Sequence, residues 1–255
     1  MNLERLIAVL EAVAAAGRPV SASEVQGVTG LPRPTCYRLI QTLAAHRFLD
    51  NVEGDGRWLL GDRFKRIAMM GHSDADIRLA TAPLIKEAAI ADGDAYFLSR
   101  FRNNSVEIIH VETPDDPKAS FIHPGLGRRP MHACSCSKAI AAFSDTALQH
   151  RIIDGALKAY TDRTKIDAAD LAAEFAAIRA RGFAECVEEI EIGVASVAAP
   201  VHMADASVPF SIGAIGTIRR FTETRRSRLG EKLIGLADQV RNTIVTGYLD
   251  AARVN

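Results

Sequence analysis

The sequence has no excess charge of either sign: 31 lysines and arginines are matched by 31 aspartates and glutamates over 255 residues. No global field therefore draws the chain to nucleic acid or to an anionic membrane, and any nucleic-acid footprint has to be local. Long apolar runs are missing too, and none approaches the ~20 residues that span a bilayer. The opening MNLERLIAVLEAV carries charges inside its apolar pattern, so it does not read as a signal peptide. Cysteine is scarce, with four unevenly spaced residues. That pattern suits reduced thiols in a cytoplasm better than a disulfide framework. A hydrophobic content of 48% excludes a disordered chain. The expectation is a cytoplasmic protein without membrane segments, long enough for two domains.

What charge there is clusters. Up to residue 71 there are nine basic against seven acidic residues, and within Arg33–Arg66 seven against four. The same region is helical by pattern. Leu3, Leu6, Ile7, Leu10, Val13 and Ala14 recur at helical spacing until Gly17-Arg18-Pro19. Ser21 followed by Glu24 forms a capping box that opens a short second helix, and Gly30 ends it. A third helix starts in LPRPTCYRLIQTL, with Pro32 and Pro34 in its first turn, where a missing N–H costs little. Two such helices joined through a glycine turn predict a helix-turn-helix.

The third helix has two faces. Cys36, Leu39, Ile40 and Leu43 form the buried one, while Arg33, Pro34, Tyr37, Arg38 and Gln41 face out. Arginine and glutamine on such a face can read guanine, adenine or phosphate in a major groove. The same face would serve equally well as a plain solvated surface. FLDNV and RWLLG flank EGDG and predict a hairpin, a wing from which Arg57 can reach a phosphate.

The stretch GRPVSASEVQGVTGLPRPTCYRLIQTLAAHRFLD, followed by GRWLLGDRF, resembles the winged-helix domain of IclR-family bacterial transcriptional regulators. The matching positions of the recognition helix are Leu31, Pro32, Arg33, Thr35, Tyr37, Arg38 and Leu39; Pro34 departs, standing where the family commonly has serine. The resemblance continues through GRRPMHACSCSKAIAAF and RGFAECVEEIEIGVASVAAPV. It implies a winged helix at 1–61, a linker helix with dimerisation at 62–76, and a GAF-like effector-binding domain at 77–255. DNA recognition would fall to Arg33, Thr35, Tyr37, Arg38, Gln41 and Arg57.

Pattern and resemblance agree on the second domain. Helical periodicity runs through 62–93 except near Gly71-His72-Ser73, and Ile67, Ala68, Met70 and Gly71 form an apolar stretch that suits dimerisation. DAYFLSRF and SVEIIHVE read as a hairpin turning at Asn103-Asn104. SKAIAAF and Asp167–Arg181 read as helices, GVASVAAPVHM and VPFSIGAIGTI as strands, and a closing helix runs from about Thr224 to Ala251. The fold class is α+β, with helices packed on one antiparallel sheet.

The chemistry concentrates in MHACSCSKAI. In a strand, His132, Cys134 and Cys136 would share a side, and Cys186, His110 or His123 could complete a metal site. Yet C-x-C is tighter than usual zinc spacing, and helix onset near Ser135 breaks the alternation, so no metal is expected. A catalytic Cys–His pair lacks a visible acid partner, and a disulfide fits neither compartment nor count. A pocket wall fits better, because a helix N-terminus offers unpaired N–H groups to a carboxylate. The resemblance implies that this segment cradles the anionic end of a small organic effector, with Arg129, Ser135, Cys136, Cys186, Ser196, Ala214 and Gly216 lining the pocket. Ser137 stands where the family carries glycine or a small residue, and Cys186 where many relatives carry an acid. A thiol there makes the cavity less polar and points to an aromatic or medium-sized carboxylate. The three cysteines also read as buried small hydrophobes. The function expected is thus a homodimeric, or dimer-of-dimers, regulator of double-stranded operator DNA, with no cofactor and no enzymatic activity. Rival readings are a small-molecule enzyme built on the Cys/His cluster and a thiol- or metal-responsive regulator on the same scaffold.

Overall fold

The computed structural model describes residues 3–52, 54–70, 73–115, 122–203 and 208–251. The chain divides into two compact units, Met1–Ser73 and Asp74–Asn255.

In the first unit, α1 (Leu3–Ala16), α2 (Ala22–Thr29) and α3 (Arg33–Ala45) enclose a core of Val9, Val13, Val25, Leu39 and Ile40. Ser21 and Glu24 form the capping box at the start of α2, and Gly30 ends it in the left-handed conformation. Between α1 and α2 lies β1 (Val20–Ser21), a strand too short for any periodicity to betray. It pairs with β3 (Arg57–Leu60), which also pairs with β2 (Leu49–Asn51), giving the order β1-β3-β2. Trp58 on β3 seals this small sheet against the helices. The wing folds back so closely that a Cβ at Gly61 would stand 2.4 Å from the Arg47 carbonyl oxygen. The unit ends in α4 (Asp62–Met70). Of the stretch read as a dimerisation surface, Ile67 is exposed; Gly71 and the side chains of Ala68 and Met70 lie outside the described residues.

The second unit begins with α5 (Asp74–Asp92), followed by β4 (Ala95–Arg102) and β5 (Ser105–Glu112). Asn103 and Asn104, at φ 51° and 57°, make the hairpin turn that asparagine tolerates. Then come β6 (Gly127–Arg129), α6 (Ser135–Ala142), α7 (Thr146–Ile153), α8 (Ala168–Arg181), β7 (Ala184–Val187), β8 (Val194–Val201), β9 (Phe210–Thr217) and α9 (Glu223–Ala251). The strands form one antiparallel sheet in the order β6-β5-β4-β9-β8-β7. Pattern reading found the four long strands and missed β6, β7 and α7. Gly127–Arg129 has no apolar alternation of its own, and it pairs only because β5 offers an edge.

Strand alternation gives the sheet two faces. Phe97, Val106, Ile108, Ala184 and Ala198 pack with α6 and α8 on one. On the other, Arg100 and Arg102 grip Asp74 at the start of α5, each at 2.9 Å. Gly216 also faces away from α6, since a Cβ there would stand 2.2 Å from the Phe221 ring. Its alternate neighbour Ala214 points the same way, while Ile215 between them packs with the α6 layer.

Helix α6 is buried along its whole length, including Lys138. The Lys138 ammonium meets Glu189 Oε1 at 2.6 Å and Glu174 Oε1 at 3.6 Å. Glu189 follows β7, so one ammonium ties α6 to both the β7–β8 connection and α8. Burial holds Glu189 above the usual carboxylate range even with Lys138 against it. Burial also pushes Glu174 up, but Lys138 and Lys165 outweigh it and hold the group below that range.

Two outcomes follow from this packing. Lys138→Met should cost about 3–5 kcal/mol at neutral pH by leaving buried carboxylates without their cation. The gap to wild type should narrow as pH falls toward 4. Glu174's depressed pKa gives wild type a stability that is full above its unfolded value and is lost as pH falls through its folded one, and the unpaired carboxylates of the variant regain protons in acid. Denaturant melts at pH 7 and pH 4 check both signs. Gly216→Ala should destabilise by about 1–3 kcal/mol through overpacking against Phe221, read as a lower thermal midpoint.

Candidate functional site

In the first unit the candidate surface is the outer face of α3 with the wing beside it. Arg33, Tyr37, Arg38 and Gln41 are exposed, Thr35 is half-buried, and Arg57 is exposed where β3 begins. Proline at the second helical position leaves α3 without a serine hydroxyl or an N–H there, and Thr35 N–H turns back to the Pro32 carbonyl at 2.8 Å. The face is held in register from below. Cys36 is fully buried, and its sulfur reaches the Leu31 carbonyl at 3.6 Å and Thr29 Oγ1 at 3.7 Å across the turn. This thiol fastens the turn between α2 and α3. Chemically, an exposed tyrosine among arginines on a helix can offer donors to the edges of base pairs and to phosphates.

In the second unit the candidate site is the N-terminus of α6. Cys134 is the N-cap residue, in an extended conformation, and its side chain makes no capping hydrogen bond. Helix onset at Ser135 breaks the strand alternation that a His132–Cys134–Cys136 metal site needed. His132 Nε2 lies 3.0 Å from the Lys158 carbonyl, and its ring stacks near Tyr160. Among the described residues no group of three or more histidine, cysteine or acidic side chains is placed to hold a metal ion.

Five of the residues expected at the pocket lie on the α6 face. Ser135 Oγ meets Ser196 Oγ at 2.7 Å, and Ser196 pairs across the ladder with Cys186. Arg129 on β6 pairs with Val106, a member of the α6 layer. Its Nη2 donates to the carbonyls of Pro124 and Gly125, while its buried Nε finds no acceptor among the described residues. Cys136 is anchored from the sheet: Ser211 Oγ donates to the Cys136 carbonyl at 3.2 Å and lies 2.5 Å from Ser99 Oγ. Ala214 and Gly216 are not part of this cluster. They face the opposite side of the sheet, because residues in line along a motif alternate between faces in a strand; Ile215 is the β9 residue that turns toward α6.

The thiols differ in character. Cys134 is raised well above its ordinary value by its hydrogen bond to Cys136 and by burial. Burial acts on Cys136 as well, but hydrogen bonds from Cys134 and Ser137 and the Arg129 guanidinium overcome it and lower that thiol. Cys186 is pushed up to about 12, by burial first and then by Cys134. A cavity of about 220 Å³ lies beside Met131, His132, Leu148 and Ile152, and none of these five residues lines it.

The Lys138–Glu189–Glu174 cluster escaped the sequence reading. Its signal was available: in SKAIAAF the lysine sits on a helix whose other residues are all small or apolar, which leaves an ammonium no exposed side. The Ser99–Ser211 pair escaped as well, since serines in a strand pattern usually mark a solvated face.

Family models match most of the chain: the IclR helix-turn-helix domain over residues 2–53 and the bacterial transcriptional regulator IclR C-terminal domain over residues 70–242. The glycerol operon regulatory protein of Streptomyces griseus is 30% identical over 223 residues, covering 86% of this chain and 85% of that protein. A crystal structure of an IclR regulator from Silicibacter sp. TM1040 superposes with a TM-score of 0.63 at 21% identity, covering 94% of this chain and 96% of that one. An IclR homolog from Microbacterium hydrocarbonoxydans, complexed with 4-hydroxybenzoate, superposes with a TM-score of 0.60 at 19% identity, covering 96% and 99%. The matching proteins are transcriptional regulators and not enzymes, which sets aside an enzymatic role for the Cys/His cluster. Among the described residues no helix is long and apolar enough to cross a membrane. The winged helix, the antiparallel sheet and both family matches lead to one conclusion: this chain belongs to the IclR family of DNA-binding bacterial transcriptional regulators.

Proposed function

We propose that this regulator binds operator DNA as a cytoplasmic homodimer or dimer of dimers, and that a small organic carboxylate, aromatic or medium-sized, sets its operator affinity. The functional division is 1–61 for DNA, 62–76 for the linker and dimer contact, and 77–255 for the effector. One observation carries the effector reading: the α6 N-terminus has no side-chain cap, and the buried Arg129 Nε on the same face has no acceptor among the described residues. Helix N–H groups and a guanidinium N–H together suit a carboxylate. Ser135, Ser196 and Cys186 would complete the wall. A thiol whose proton is held up to about 12 presents a neutral surface, which favours the apolar body of a larger acid over the second polar group of a very small keto acid. The 4-hydroxybenzoate held by the Microbacterium homolog is an acid of the size proposed. A ligand that prefers one arrangement of the chain shifts operator affinity by its differential binding to the two states.

On the DNA side, Arg33, Thr35, Tyr37, Arg38 and Gln41 would enter the major groove and Arg57 would hold the backbone. Arg38→Ala should weaken specific operator binding by about 1–3 kcal/mol while leaving the oligomer intact. Arg57→Ala should weaken operator and non-operator DNA alike. Shift assays with sedimentation of the free protein check this, and unchanged operator affinity in Arg38→Ala would sink the register. Calorimetry against benzoate-type, four- to six-carbon and two- to three-carbon acids tests the effector. Binding is expected for the larger acids and should fall at least tenfold in Arg129→Gln. Binding restricted to two- and three-carbon acids would overturn the reading.

A further inference from the structure

The first turn of α6 holds a second feature, one that carboxylate binding does not require. Cys134 at the N-cap and Cys136 two residues on are both buried, and their sulfurs lie 3.3 Å apart. Neither of the other two thiols shares this contact. Among the described residues no hydrogen bond joins Cys186 to either sulfur, and Cys36 is tied to the Leu31 carbonyl in the other unit. A disulfide needs its sulfurs at about 2.05 Å, so this pair closes by sulfur movement of roughly 1.3 Å within one turn. The two thiols are also unequal. Cys136, lowered by its hydrogen bonds and by Arg129 against the effect of burial, has the character of a nucleophile, and Cys134, raised, stays protonated beside it.

We propose that Cys134 and Cys136 form an oxidisable dithiol, a modification site for a small hydroperoxide, whose product is a reversible disulfide in the first turn of α6. The Cys136 thiolate attacks the distal oxygen of the hydroperoxide and the O–O bond breaks. The leaving alkoxide takes the proton that Cys136 gave up, and Cys136 becomes a sulfenic acid. Cys134 then attacks the Cys136 sulfur, the S–O bond breaks, and the hydroxyl leaves with the Cys134 proton as water. Two thiols and one hydroperoxide give a disulfide, an alcohol (water, when the oxidant is hydrogen peroxide) and a water; the sulfurs are oxidised and the peroxide is reduced. The new bond pulls Cys136 toward the N-cap, against the Ser211 hydrogen bond that anchors its carbonyl. The turn that would present N–H groups to a carboxylate is thereby reshaped, so oxidation and ligand compete for the same helix start. The chemistry itself depends on neither operator nor effector binding.

The test uses the full chain, hydrogen peroxide at equimolar to tenfold ratio, alkylation of the remaining thiols, and peptide mapping. Trypsin releases residues 129–138, because the Arg129–Pro130 bond resists it, and this fragment holds Cys134 and Cys136 and no other cysteine. The expected product is this fragment unalkylated and lighter by two hydrogens, and restored by dithiothreitol. Cys186→Ser and Cys36→Ser should leave that result unchanged. Cys134→Ser should instead trap a dimedone adduct on Cys136. Recovery of the fragment fully alkylated, or joined to the Cys186 peptide or to a second chain, would overturn the proposal. Mapping of the unmutated chain decides the matter even where a variant fails to fold.

Discussion

The second unit depends on one buried ammonium. Lys138 sits at zero exposure on α6, with Glu189 at 2.6 Å and Glu174 at 3.6 Å. A lone charge in that position would be expelled or neutralised, so the helix, the β7–β8 connection and α8 hold their places together or not at all. Lys165 and Arg181 extend the clasp by pairing with Glu174. The N-terminus of α6, the start proposed for both carboxylate binding and thiol oxidation, is the end of this helix that precedes the clasp. Its partial positive charge and the Arg129 guanidinium act on a layer from which water is largely excluded, where such charges are worth most.

The legibility of this chain varies with the range of the interactions involved. Local rules produced the first unit almost entirely. The Ser21–Glu24 box, Gly30, and the Cys36–Leu39–Ile40–Leu43 stripe are decided within one or two helical turns, and the structure has each where periodicity places it. The Asn103-Asn104 turn was equally plain, because few residue pairs accept two positive φ values. Partnership across distance was not legible. Strand β6 has no pattern of its own and exists by pairing with β5; β1 is two residues long.

The site was legible in the same uneven way. Of the residues the family motif proposed, Arg129, Ser135, Cys136, Cys186 and Ser196 share the α6 face of the sheet. Motif transfer could not tell which of Ala214, Ile215 and Gly216 turns toward α6. A single residue of offset along a strand exchanges one face for the other, and only the packing of Phe221 on Gly216 settles the parity. The ion cluster around Lys138 and the hydroxyl pair Ser99–Ser211 were invisible for a simpler reason. Each joins residues far apart in the chain, and their types usually mark solvated surface.

Strand β4 lies near the middle of the sheet, and its successive residues serve opposite faces. Through Ser99 it joins Ser211, and through Ser211 the Cys136 carbonyl on the α6 side. Through Arg100 it holds Asp74, the residue with which the chain enters the second unit. Helix α6 and the point where the chain enters the second unit are therefore both measured against the same short length of backbone, one from each side.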